Sequence, residues 1–218
     1  MRASVRYFVC AALFAFGASL ASAQSQVDIG VGFGAAFDKA NPNLGADSQT
    51  GASCTTSTDA TCVAAGSMNG FFLGFGGDIL FYKHFGFGAE VNIEPGKNNW
   101  GPLQDRQIFY DFNGVYEPYS SKRASLVIEG GVGGARTSFS VTESGCVGPA
   151  CSTEVEPVGS TNHFQVHAGV GVQIYLTHSL FIRPQFDFHY VPGLTNEFNS
   201  NAVPEATIWI GFNGGGGR

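Results

Sequence analysis

The sequence predicts an all-β protein, an eight-stranded antiparallel up-and-down transmembrane β-barrel. Three observations carry that expectation. Apolar residues alternate with glycine or polar residues over eight separate segments, the period of strands with two unlike faces. The links between segments are tight and long by turns, the layout of barrels with short periplasmic turns and longer outer loops. Finally, 31 of the 218 residues are Gly and only 13% are charged, about twice and about half the usual shares. Lys+Arg 11 against Asp+Glu 17 gives a net charge of −6, which argues against a nucleic-acid partner held by phosphate contacts.

The elements follow in chain order. Residues 1–6 hold two arginines and no acid, residues 7–20 are an apolar run, and Ala21-Ser22-Ala23 is a small-residue cleavage site ahead of Gln24. These are the parts of a secretory signal peptide over residues 1–23, and the run is shorter than the roughly 20 residues a membrane helix needs. Its cleavage removes Arg2 and Arg6, moves the net charge from −6 to −8, and leaves residues 24–218 as one barrel domain. The strand segments lie near 26–36, 70–81, 85–95, 105–116, 124–139, 162–176, 180–191 and 204–212. In the third, Phe85, Phe87, Ala89, Val91 and Ile93 share one face, and Gly86, Gly88, Glu90, Asn92 and Glu94 the other. In the sixth, Phe164, Val166, Ala168, Val170, Val172, Ile174 and Leu176 oppose His163, Gln165, His167, Gly169, Gly171 and Gln173. In the seventh, Leu180, Ile182, Pro184, Phe186, Phe188 and Tyr190 oppose Phe181, Arg183, Gln185, Asp187 and His189. Tight links are expected at residues 82–84, 117–123 and 177–179. Long polar loops follow the first, third, fifth and seventh segments.

Alternation alone fits a soluble barrel with an apolar interior as well. The polar face decides between them. It is glycine mixed with single Glu, Asp, Asn, Gln, His and one Arg, without a lysine-covered exterior. Eight strands leave barely enough space inside for side chains, so glycines belong on the inner face. The apolar face carries Phe85, Tyr110, Tyr116 and Tyr190 toward strand ends, as membrane-interface girdles do.

Four cysteines remain after the signal, as two close pairs: Cys54 with Cys62, and Cys146 with Cys151. Each pair brackets one polar loop on the oxidising side of the inner membrane, so two local disulfides are expected ahead of crossed connectivities. A zinc site would need the short knuckle spacing and a thiolate–histidine cluster, which are missing.

The stretches FGFGAEVNI (85–93), ASLVIEGGVGGA (124–135) and TIWIGF (207–212) resemble the small outer-membrane β-barrel family typified by outer membrane proteins A and X. The likeness covers nearly the whole mature chain. It implies residence in the outer membrane of a Gram-negative-type bacterium, among outer-membrane lipid and lipopolysaccharide, after insertion by the barrel assembly machinery. In that family an aromatic residue closing the last strand is read during assembly, and Phe212 is the matching position here, followed by residues 213–218. With the chain ending after its last strand, no separate peptidoglycan-binding domain is expected.

Some barrels of this kind are lipid-modifying enzymes. The adjacent His178 and Ser179 point to opposite sides of a strand and lie in an expected periplasmic turn, which argues against a Ser–His hydrolase. His163 and His167 are roughly 13 Å apart along a strand and cannot share a metal. Across strands the picture differs. A three-residue link at 177–179 pairs Leu176 with Leu180, puts His167 opposite His189 and beside Asp187, and sets Gln173 opposite Arg183. That His/Asp group reads as a metal or pH-responsive cluster, or as a hydrogen-bonded plug, the plug suiting a narrow lumen better. Counting from the turns, Asp78, Glu90, Asp111, Glu129, Gln173 and Arg183 fall at similar heights, so one polar layer is expected. Arg183 would be its hub, with Glu90 and Glu129 its nearest partners. No cofactor motif is present. The expected function is non-enzymatic: loops shown to an extracellular ligand for surface interaction or adhesion. A narrow porin-like channel is the alternative, and a lipid-modifying enzyme follows it.

Overall fold

Strands inside a bilayer must satisfy every backbone group among themselves, which leaves a closed sheet as the one solution for alternating segments. The computed structural model describes residues 26–214, apart from 42, 48–52, 56–61, 65, 83, 101–102 and 148–149. In chain order the strands are β1 (Gln26–Ala36), β2 (Leu44–Asp47), β3 (Ser53–Thr55), β4 (Cys62–Ala64), β5 (Phe71–Tyr82), β6 (Phe85–Ile93), β7 (Asn98–Trp100), β8 (Leu103–Ser120), β9 (Ala124–Val147), β10 (Ala150–Tyr175), β11 (Leu180–Tyr190) and β12 (Ala202–Gly214). Eight of them, in the order β1, β5, β6, β8, β9, β10, β11 and β12, pair antiparallel, and β12 returns to β1 to close the barrel. Val27 opposite Gly214 and Gln26 opposite Leu80 set the register at the seam.

The two faces separate as the alternation requires. Ile29, Phe33, Phe75, Phe87, Phe112, Val132, Phe164, Phe186 and Ile208 are exposed on the outer wall, while Asp28, Asp78, Glu90, Asn113, Gln165 and Asp187 are buried within. Phe85 stacks on Tyr116 at 4.7 Å between ring centroids, a pair across β6 and β8 at the periplasmic end of the belt.

Three links differ from the expected loops. Past the fifth segment the chain does not loop: β9 and β10 run on as a two-stranded ribbon, paired from Ala124 with Ile174 up to Val147 with Ala150. The residues there, among them Val141, Thr142, Thr153 and Val155, favour extended backbone. The register shifts between Pro157 and Gly159, where the proline has no N–H to give the ladder. In the first long link, β2 pairs with both β3 and β4 in a separate three-stranded sheet. The link at 117–123 is shorter than expected because β8 continues to Ser120, with a bulge between Tyr116 and Tyr119.

The segment joining β11 to β12 turns inward. It makes one 3-10 turn at Leu194–Asn196, entered through Gly193 at φ 89°, a left-handed conformation that glycine adopts without strain. Leu194, Phe198 and Val191 thereby meet Phe72, Phe109, Ala135, Val203, Ala36 and Met68 in an apolar cluster across the extracellular mouth.

Candidate functional site

Two features of this barrel can carry function: the lumen and the extracellular rim. The lumen is filled in tiers. Uppermost is the apolar cap. Phe72 packs on Phe109 at 5.6 Å, Phe109 stacks on His189 at 4.9 Å, and His189 stacks on His167 at 4.8 Å, so one column of rings leads from the cap into the polar interior. The cap is tied down from outside by Glu197, which accepts hydrogen bonds from Thr161 and lies 3.0 Å from His163 Nε2.

The next tier holds both lumen histidines. His167 Nε2 lies 3.0 Å from Asp187 Oδ1 and its Nδ1 3.1 Å from Asn113 Oδ1. His189 Nε2 lies 3.0 Å from Glu205 Oε2, and its Nδ1 3.9 Å from Asp111. Gln165 donates to Asp111, and Gln185 to Asp187. His167 and His189 are register partners on β10 and β11. Among the described residues no group of three His, Cys, Asp or Glu has the geometry to hold a metal.

Below it sits Arg183, 3% exposed. Its Nη1 donates to Asp78 at 2.7 Å and its Nη2 to Glu90 at 3.2 Å. Glu129, the other expected partner, makes no hydrogen bond to it: neither of its carboxylate oxygens has a hydrogen-bond partner. Nor do the six residues make one layer. Asp111 belongs to the histidine tier. Gln173 donates to Asp28 and to Tyr175 in the lowest tier, near Asn213. Equal counts from the turns do not give equal heights because strands in a closed barrel are tilted and staggered. Trp209 fills the remaining space, its ring centroid 5.6 Å from the Arg183 guanidinium carbon. A Cβ on Gly74 would come within 2.8 Å of that ring, and one on Gly32 within 3.0 Å.

Sequence reasoning passed over Trp209, Glu205 and the cap. Trp209 was readable from parity, since Ile208 and Ile210 face lipid and leave it pointing inward. For Phe72 and Phe109 the signal was the unbroken runs Phe71-Phe72 and Ile108-Phe109-Tyr110, apolar on both faces at the mouth. Leu194 and Phe198 carried no local signal.

On the rim, Cys54 and Cys62 form a disulfide eight residues apart that ties β3 to β4. The side chains of Cys146 and Cys151 lie outside the described residues, although the backbone register sets the two directly opposite. His178 and Ser179 sit in the turn between β10 and β11, at the end of the barrel away from the long loops. Phe212 is exposed on the outer wall of β12.

The fold has known counterparts. Ail, the attachment invasion locus protein of Yersinia pestis, solved in complex with the heparin analogue sucrose octasulfate, is similar with a TM-score of 0.51 at 11% identity, over 88% of this chain and 99% of that one. Neisserial surface protein A is similar with a TM-score of 0.52 at 12% identity, over 88% of this chain and 96% of that one. A search of curated proteins by sequence finds no match. The sequence also matches a described family over residues 8–206. With its eight antiparallel strands, lipid-facing apolar wall and polar lumen, the chain belongs to the outer membrane protein beta-barrel domain family, whose place is the outer membrane of Gram-negative bacteria.

Proposed function

We propose that the protein is a non-enzymatic anchor: a filled barrel that holds disulfide-tied loops outside the outer membrane for contact with an extracellular ligand. The observation that carries this reading is the cap of Leu194, Phe198, Phe72 and Phe109 over a lumen already packed around Arg183 and Trp209. A wall sealed in this way serves as support, and binding then resides on the loops that a rigid scaffold positions. The strand-built rim supports it further, since ribbons and disulfides reduce the disorder that a ligand would have to remove. The structure of Ail with a sulfated sugar is consistent with an extracellular ligand for a barrel of this shape. Within this reading Cys146 and Cys151 form the second bridge, Phe212 serves as the assembly signal, and cleavage after Ala23 releases the mature chain.

The test is display of the whole protein on a non-adherent bacterium, with binding measured to epithelial monolayers and to immobilised heparin. A variant with residues 43–66 replaced by a short Gly-Ser link should lose at least about tenfold in binding while keeping the unheated gel mobility of a closed barrel. Equal binding by both overturns the reading. A steady open state in planar bilayers would replace it with the narrow channel.

A further inference from the structure

Where the lipid-facing wall of β8 and β9 ends, the outer surface changes character. Tyr110 and Ile108 face outward in turn along β8, and the next outward residue is Arg106. Arg136 on β9 is the register partner of Ile108, and Ser138 that of Arg106. On the neighbouring strand, Ser160 of β10 pairs with Ser138. Lys97, from the connection leading into β7, reaches across the same face, its Nζ 3.0 Å from Ser140 Oγ and 3.2 Å from Gln104 Oε1. Together these residues line an open groove of about 650 Å³ on the outside of the barrel.

Its charge is one-sided. Lys97, Arg106 and Arg136 line it, and no Asp or Glu does among the described residues. Among the described residues none of the three is in an ion pair, in contrast to Arg183, which has two. Arg136 Nη2 donates to Ser160 Oγ at 3.3 Å, and Arg106 Nε is buried without a hydrogen-bond partner. The nearby carboxylates Asp105 and Glu94 are both 1% exposed, turned to the lumen side of the wall. Three cations with no acid beside them in the groove, in a protein of net charge −6, form a positive site.

We propose that this groove binds the phosphate groups of a phosphorylated glycolipid of the outer leaflet. The chemistry selects a phosphate: two planar guanidinium groups present paired N–H donors to tetrahedral oxyanions, and the serine hydroxyls supply further donors. The position selects a lipid. Arg106 stands two residues above Ile108 along one strand, a rise of roughly 7 Å, which is the step from hydrocarbon to headgroup. The groove opens sideways from the wall, so a molecule already anchored in the leaflet presents its phosphate there at high effective concentration. This site is separate from the loops and does not depend on their ligand.

The experiment uses the whole protein in detergent, with native mass spectrometry counting bound lipid after incubation with bis-phosphorylated lipid A or with the same lipid dephosphorylated. The wild type should retain the phosphorylated form, and Arg106→Gln/Arg136→Gln should retain it at least about tenfold less, which is about the loss of one charge-assisted contact. Arg106→Lys/Arg136→Lys keeps the charge and should retain an intermediate amount, and unheated gel mobility shows that each variant is closed. Equal retention by wild type and the glutamine variant overturns the site. Equal retention of the two lipids overturns the phosphate. Competition by inorganic phosphate as effective, mole for mole, as lipid A overturns the membrane-anchored source. Variants that lose heparin binding while keeping lipid A would assign the groove to a soluble polyanion instead.

Discussion

Replacing Arg183 with leucine should cost this barrel about 3–5 kcal/mol, the penalty for stranding the partners of a buried charge. The guanidinium bridges two carboxylates from different strands, Asp78 at 2.7 Å and Glu90 at 3.2 Å, and all three side chains are no more than 4% exposed. The cost arises less from the lost attraction than from leaving the buried Asp78 and Glu90 with no cation between them. Loss of the contact with the Trp209 ring adds on the order of 1 kcal/mol. The control is Lys122→Leu in an exposed periplasmic turn, expected to change stability by less than about 0.5 kcal/mol. The assay is urea unfolding from lipid vesicles, followed by emission of Trp209 in a Trp100→Phe background. Arg183→Lys should fall between the two, because a single ammonium cannot present parallel donors to both acids. Removing the acids as well, in Arg183→Leu/Asp78→Leu/Glu90→Leu, should recover much of the loss. Equal urea midpoints for Arg183→Leu and Lys122→Leu would refute the reasoning and show the pair to be solvated.

Further outcomes follow from the same packing. Burial at the mouth holds the Glu94 carboxyl up at about 7, from an ordinary 4.5. The fold therefore prefers the neutral acid, and its contribution is full below about 4.5 and lost as pH rises through 7. At about 1.4 kcal/mol per unit this is at most about 3.5 kcal/mol, so urea midpoints should fall between pH 5 and pH 8, and Glu94→Gln should flatten that slope. Gly74→Ala should impair folding, since its Cβ would meet Asn92 Oδ1 at 2.5 Å and Trp209 at 2.8 Å. Gly114→Ala, with nothing nearer than 3.7 Å, should be neutral or slightly stabilising in the same titration. Mild reduction should leave unheated gel mobility unchanged while speeding proteolysis of the rim, because the Cys54–Cys62 bridge closes a sequence separation of only eight in an outer loop. Leu194→Ala/Phe198→Ala should destabilise by about 2–5 kcal/mol per side chain or less, yet produce no steady conductance, because the tier around Arg183 still fills the lumen.

Much of this molecule was legible in the chain because a membrane strand states its environment residue by residue. Phe87 and Gly88, or Phe186 and Asp187, can only belong to opposite faces, and a period of two assigns lipid or lumen with no knowledge of the rest. The three-residue link at 177–179 likewise determined that His167 meets His189, since one hairpin fixes its own register. Everything that spans the barrel needed the closed structure. Asp78 reaches Arg183 over a sequence separation of 105, and Glu129 is left without a hydrogen-bond partner, because tilt and stagger decide which tier each strand's residues enter. The inward turn of Leu194 and Phe198, and the convergence of Lys97, Arg106 and Arg136 on one outer groove, are decided in the same way. Alternation is a local property of the backbone. Height and neighbour around a barrel depend on all eight strands at once, and only their closure determines them.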